Sequence, residues 1–121
     1  IGRLPKPMTA DYARAVADHV IDLLVDDDGH VVGAVELIPA ADHWLIENVA
    51  VEPTYQGKGY GRILVARAEE LTRAAGFGTV RLYTNKLFAA NVTLYLKLGY
   101  TIDREEEFRG GVIVHMSKRL D

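Results

Sequence analysis

The sequence predicts one α/β domain of the mixed α+β kind, a central mixed sheet with helices against it. Two observations carry that reading. The first is the stretch Glu47–Arg62, which begins as an apolar strand and becomes a turn with glycine at 57, 59 and 61. It then opens a helix, Arg62 onward. The second is the order of periodic segments along the chain, strand–strand–strand–helix–strand–helix–strand–strand. The 121 residues, 49% hydrophobic and 26% charged, suffice for a single core.

The elements follow in order. Ile1 to Met8 holds two prolines and reads as an extended lead-in. Thr9 can cap a short helix over Ala10–Asp18, with Tyr12, Ala13 and Val16 on its apolar side. Val20–Val25 and Val31–Ile38 form a hairpin around Asp26-Asp27-Asp28-Gly29, and Pro39 ends it. Trp44–Val51 is the third strand. The helix after the glycine turn runs to about Ala75, with Leu64, Ala68, Leu71 and Ala75 as its packing stripe and Gly76 as its left-handed stop. Thr79–Thr84 is the next strand, in a βαβ relation to the third. Asn91–Leu98 is a short helix stopped by Gly99. Tyr100–Phe108 and Val112–Lys118 form a last hairpin around Gly110-Gly111.

Composition excludes several classes. There is no cysteine, so no disulfide framework, thiolate nucleophile or cysteine metal site. His19, His30, His43 and His115 show no metal-ligand spacing, and no metal is expected. No apolar run approaches the roughly 18 residues of a membrane span, and no signal peptide begins the chain. A cytoplasmic protein is expected, with no membrane partner. A net charge of −3 with scattered Lys and Arg argues against nucleic acid. The chain starts at Ile1 rather than Met, so an N-terminal segment is expected to be missing.

A glycine-rich turn opening a helix concentrates free backbone N–H groups and partial positive charge, which suits a phosphate or pyrophosphate. Gly57-Lys58-Gly59-Tyr60-Gly61 fits neither the dinucleotide fingerprint nor the Walker loop. Gln56–Gly61 does resemble Q/R-x-x-G-x-G/A, the acetyl-CoA pyrophosphate motif of the GNAT superfamily of N-acetyltransferases. Leu94-Tyr95-Leu96-Lys97-Leu98-Gly99-Tyr100 is similar to that family's L-Y-x-x-L-G-F/Y signature. The resemblance covers about Thr9 to Leu120. It implies one N-acetyltransferase domain of GNAT fold, entered at the family's second strand, with the first strand and helix absent or represented only by Ala10–Asp18.

The resemblance implies a cofactor, acetyl-CoA, and residues to hold it. Its pyrophosphate would rest on turn amides of Gly57 to Arg62, with Gln56, Lys58 and Tyr60 in the motif. The pantetheine arm would run beside Val49, Ala50 and Val51, with the Val49 amide polarising the thioester carbonyl. Lys58 and Arg62 either add charge to the phosphates or are a solvated flank. Tyr95 is the candidate general acid for the leaving thiolate, against the plainer reading of a half-buried core tyrosine.

Glu47 stands out by periodicity. On a regular strand it shares a face with Leu45, Val49 and Val51. Such a carboxylate either sits at an open split of the sheet, where it can take a proton from an ammonium, or is turned outward by a bulge. Glu36 and His115 are weaker candidates for the base. One position departs from the family. Seven residues before the acid tyrosine many members carry an asparagine, and here stands Phe88. Asn91, one helical turn before Tyr95, either substitutes for it on the cofactor or caps the helix. Asn85 has the same ambiguity. The acidic positions Asp42, Glu52, Asp103 and Glu105–Glu107 read as solvated faces rather than a polyamine site.

Together these imply a direct transfer of acetyl to a small-molecule or protein amine, with a homodimer allowed. The rival is a CoA-binding regulatory or interaction module of the same fold without turnover.

Overall fold

The computed structural model describes residues 6–9 by their backbone and residues 19–121 in full. In order come β1 (Lys6–Thr9), β2 (Val20–Val25), β3 (Val31–Pro39), β4 (Trp44–Val51) and a 3-10 turn, Pro53–Tyr55. After it come α1 (Tyr60–Ala74), β5 (Thr79–Asn85), α2 (Ala89–Lys97), β6 (Thr101–Phe108) and β7 (Gly111–Arg119). Among the described residues the strands form one seven-stranded sheet in the order β1-β2-β3-β4-β5-β7-β6. The β4–β5 pair is parallel and the others are antiparallel, so the sheet is mixed as expected. No helix among the described residues is long and apolar enough to cross a membrane.

Two expectations change at the N-terminal end. The lead-in carries a strand, β1, whose Pro7 stands opposite Leu24 of β2. A four-residue strand with a proline inside it gives almost no sequence signal. It is tolerated because β1 is at the sheet edge, where a missing N–H breaks no ladder on the open side. Thr9 is the last residue of β1. The helix expected over Ala10–Asp18 lies outside the described residues.

The core lies between the sheet and α1. Leu24, Val35, Leu37, Ile46, Leu82 and Met116 from the strands meet Leu64, Val65 and Ala68 of the helix, all nearly inaccessible. The helix stripe is rotated from the expected one: Leu64, Val65, Ala68 and Thr72 are buried, Leu71 is marginal and Ala75 is exposed. The difference follows from Glu69, a buried carboxylate that the helix also turns inward. It accepts hydrogen bonds from the Tyr100 hydroxyl at 2.9 Å and the Lys118 ammonium at 3.2 Å. Burial and the Glu69 charge push the Tyr100 phenol well above its ordinary value. Asp22 on β2 is also buried and takes the Arg67 Nε–H at 2.7 Å.

Local chemistry sets the ends of α1. Its N-cap is Gly59, in the left-handed region at φ 85°. At its other end Gly76 has φ 91°. The Gly76 N–H bonds Arg73 O and the Phe77 N–H bonds Thr72 O, the pair of bonds of a Schellman stop. Gly33 lets the helix settle onto β3 and β4. A Cβ there would lie 2.7 Å from Ala50 O and 3.0 Å from a Leu64 methyl.

Candidate active site

The site begins where β4 leaves β5. The two strands pair only at Trp44–Val80, Leu45–Arg81 and Ile46–Leu82. Beyond Ile46, β4 stays with β3 as far as Val51 and β5 stays with β7 as far as Asn85. A wedge therefore opens between them.

The wedge starts at a β-bulge. Opposite β3, Glu36 pairs with Asn48 and Leu37 with Ile46, so Glu47 has no partner across the ladder. The extra residue exchanges the faces of β4 at that point. Ile46, Val49 and Val51 pair with Leu37, Val35 and Gly33 on the α1 side, and Leu45 falls on the other side. The expected common face of Leu45, Glu47, Val49 and Val51 is thereby corrected. Glu47 is exposed, on the wall of the wedge. Its two carboxylate oxygens accept from the Tyr83 hydroxyl at 3.2 and 3.1 Å. Burial first, then the bond to Glu47 and its charge, raise the Tyr83 phenol above its ordinary value.

Two clefts share this wedge. The larger, about 540 Å³, runs from Val49 and Val51 along Gln56, Gly57, Gly59, Tyr60, Gly61 and Arg62, with Asn91, Leu94 and Tyr95 of α2 opposite. The smaller, about 350 Å³, holds Glu47, Tyr83, Asn85, Phe88 and Ile113 among its walls. Val49, Asn91 and Tyr95 line both.

The turn into α1 is glycine-rich and held to β4. Gln56 Nε2 donates to Val51 O at 3.1 Å and ties the turn to β4. Gly57 and Gly59 take φ 79° and 85°, conformations that side chains resist. Gly61 lies in the first turn of α1, and a Cβ built on it meets nothing within 4 Å. That turn holds no acidic residue. Its N–H groups lack helical partners, which is the usual chemistry of a helix-start anion site. The donor set fits a pyrophosphate.

Two expected cofactor residues stand apart. Lys58 lies over the Tyr55 ring, 5.5 Å from its centre, rather than on the cleft wall. Ala50 pairs with Ala34 and lines a shallow groove with Pro53, because alternation along the strand turns it away from Val49 and Val51.

Tyr95 is half-buried, with its ring edge-on to Tyr100 at 5.7 Å between centres. Burial raises its phenol above the ordinary value. Among the described residues its hydroxyl makes no hydrogen bond. Asn91 is not the helix cap; the N-cap of α2 is Phe88. Asn85 Oδ1 accepts the Leu87 N–H at 2.9 Å, which shapes the loop into α2. The weaker base candidates are engaged elsewhere: Glu36 with His19 at 2.5 Å and His115 with Glu106 at 2.8 Å. Neither lines the two clefts. Sequence reasoning missed Tyr83, since nothing local shows that its hydroxyl reaches a residue 36 positions away.

Asp26, Asp28 and His30 bring ligand-type atoms within 4.8 Å of one another in the β2–β3 turn. Asp26 Oδ1 there accepts the N–H groups of Asp28 and His30, and this turn geometry gathers the cluster.

Comparison with known proteins agrees with this geometry. Residues 2–100 match the family model described as the acetyltransferase (GNAT) family. An IAA acetyltransferase of Azospirillum brasilense is 31% identical, over 74% of this chain and 67% of its own length. Nourseothricin acetyltransferase shares the fold with TM-score 0.78 at 23% identity, over 88% of this chain and 68% of that one. A GNAT family acetyltransferase from Elizabethkingia anophelis, solved with acetyl-CoA bound, gives TM-score 0.77 at 16% identity, over 88% and 80% of the two chains. With a family match over residues 2–100, most of its length, this chain belongs to the acetyltransferase (GNAT) family.

Proposed function

We propose that this acyltransferase moves the acetyl group of acetyl-CoA onto a primary amine by direct attack. The observation that carries the reading is the pair of clefts that share Val49, Asn91 and Tyr95 across the β4–β5 wedge. One cleft ends on an anion-binding turn and the other on a carboxylate, so a donor and an acceptor can meet between them.

Acetyl-CoA supplies an activated acetyl thioester. The amides from Gly57 to Arg62 hold its pyrophosphate, Arg62 adds charge from the cleft wall, and the main chain at Val49 and Val51 lies along the pantetheine arm. Glu47 takes a proton from the acceptor ammonium, directly or through water, and Tyr83 orients that carboxylate. The freed nitrogen attacks the carbonyl carbon, with the Val49 N–H stabilising the oxyanion. A C–N bond forms, the C–S bond breaks, and the second proton leaving the nitrogen passes through solvent to restore the Tyr95 hydroxyl. The Tyr95 hydroxyl donates its proton to the departing sulfur, and its raised pKa keeps that proton in place at neutral pH. The absence of cysteine agrees with a route lacking a thiolate acyl-enzyme.

The test is thiol release from acetyl-CoA with a panel of small amines and amine-bearing peptides, alongside calorimetry with CoA. Amine-dependent thiol release is expected. CoA binding without amine-dependent release from any member would favour a CoA-binding regulatory module instead.

A further inference from the structure

The smaller cleft has the charge and the apolar wall of a site for one kind of acceptor. Its volume, about 350 Å³, is at the lower end of small-molecule sites, which span roughly 300–1,000 Å³. Among the described residues that line it, Glu47 alone carries a charge at neutral pH. Neither Lys86 nor His115 lines the cleft: Lys86 pairs with Glu105 at 3.0 Å, and His115 bonds Glu106 at 2.8 Å. Among the described residues, an ammonium entering this cleft finds one counter-charge, Glu47, and a carboxylate beside that ammonium finds a like charge and no cation.

The wall adds shape. Phe88 lines the cleft and yet is 60% exposed, so much of its ring is open for contact. Its backbone is fixed. The Phe88 N–H bonds Asn85 O at 2.9 Å, and its carbonyl accepts from the Asn91 and Val92 N–H groups at the start of α2. A large, mostly exposed apolar ring on the wall of a small cleft, carried on a fixed backbone, is suited to the body of a ligand. Ile113 adds a second apolar surface.

We infer that the acceptor is a small monoamine with an apolar, ring-bearing body and no carboxylate, its ammonium at Glu47 and its body against Phe88. This rests on the acetyl-transfer reading above. Phe88 is then a specificity-determining residue, and its side chain does no chemistry.

The probes are phenethylamine, phenylalanine amide and phenylalanine, with calorimetry of CoA and of phenethylamine on the CoA-loaded protein. The amide has the bulk of the amino acid without its charge. Phenethylamine and the amide should both be acetylated, and phenylalanine should lag the amide in kcat/KM on the order of 100-fold, as expected for like charges about 5 Å apart. In Phe88→Ala the ratio of kcat/KM for phenethylamine over ethylamine should fall about tenfold or more. Phe88→Leu should fall less. Phenylalanine and its amide used equally, or an unchanged phenethylamine-to-ethylamine ratio in a folded Phe88→Ala, would overturn this inference while the acetyl-transfer reading stands. A wild type that binds no CoA would overturn both.

Discussion

Replacing Gly61 should cost cofactor binding and leave the fold standing. Gly61 is the second residue of α1, on the wall of the larger cleft, and a Cβ built on it has nothing within 4 Å. The fold therefore gives no reason for a glycine. In a helix interior glycine is less stable than alanine by about 0.5–1 kcal/mol, and less so near the end. Gly61→Ala should then be neutral or stabilising by up to about 1 kcal/mol, a Tm rise of roughly 3–6 °C at this chain length. Gly61→Val gains less, because a β-branched side chain fits a helix less well. Cofactor binding should move the other way. If the valine holds the pyrophosphate off one turn N–H, a hydrogen bond to a charged group is lost, about 1.5–3 kcal/mol. That is roughly 10- to 150-fold in Kd. Urea denaturation measures the first effect and calorimetry with CoA the second. A folded Gly61→Val with wild-type CoA affinity would remove the turn from the site. A Gly61→Ala that unfolds easily would show that the fold requires the glycine. Gly59 is the contrast: at φ 85° any side chain is strained by about 1–2 kcal/mol whatever it touches.

Tyr95→Phe keeps the ring against Tyr100 and removes only the hydroxyl, so CoA should still bind while turnover falls on the order of 100-fold. Steady-state rates like wild type would leave Tyr95 as packing alone. Glu47→Gln should lower turnover most at low pH and progressively less as pH rises, since free amine then forms without it; an unchanged pH–rate profile would remove Glu47 from the proton path. Tyr100→Phe deletes a buried hydrogen bond to Glu69 and should cost about 1–2 kcal/mol by urea denaturation. The Tyr100 phenol is raised in the folded state, so its contribution is complete below the ordinary tyrosine value of about 10 and declines as pH rises past it. Tyr100→Phe should lose that part of the alkaline dependence, and a variant with the wild-type alkaline curve would contradict the assignment.

Much of the molecule was legible without coordinates, and the legible part is local. β2 and β4 have the bounds read from the sequence, Val20–Val25 and Trp44–Val51. Their apolar runs end at turn residues that act within a few positions. Gly76 stops α1 as read, because a left-handed residue at a helix end needs no distant partner. The glycine turn and the leucine–tyrosine segment were each visible as motifs. Their meeting around one cleft was implied only by resemblance, and Gln56 to Arg62, with Lys58 outside, do line it together with Asn91, Leu94 and Tyr95.

The sequence by itself determined most of the strands and helices, where the glycine turn before α1 lies, and which chemical groups are at hand. Tertiary structure decided which of them face one another. The bulge that frees Glu47 exists only as a count of residues on two strands, β3 and β4, and neither strand contains it alone. The Tyr83 bond to Glu47 needs the short parallel pairing of β4 with β5 and the wedge beyond it. Glu69 lies outside the apolar stripe read from the sequence, and it is buried because Tyr100 and Lys118 come from distant segments to satisfy it. β1, with a proline at its centre, is a strand because β2 offers it an edge. The physical reason is the same in each case. Propensity, capping and turn chemistry act over a few residues, whereas register and burial of charge depend on the partner across the fold.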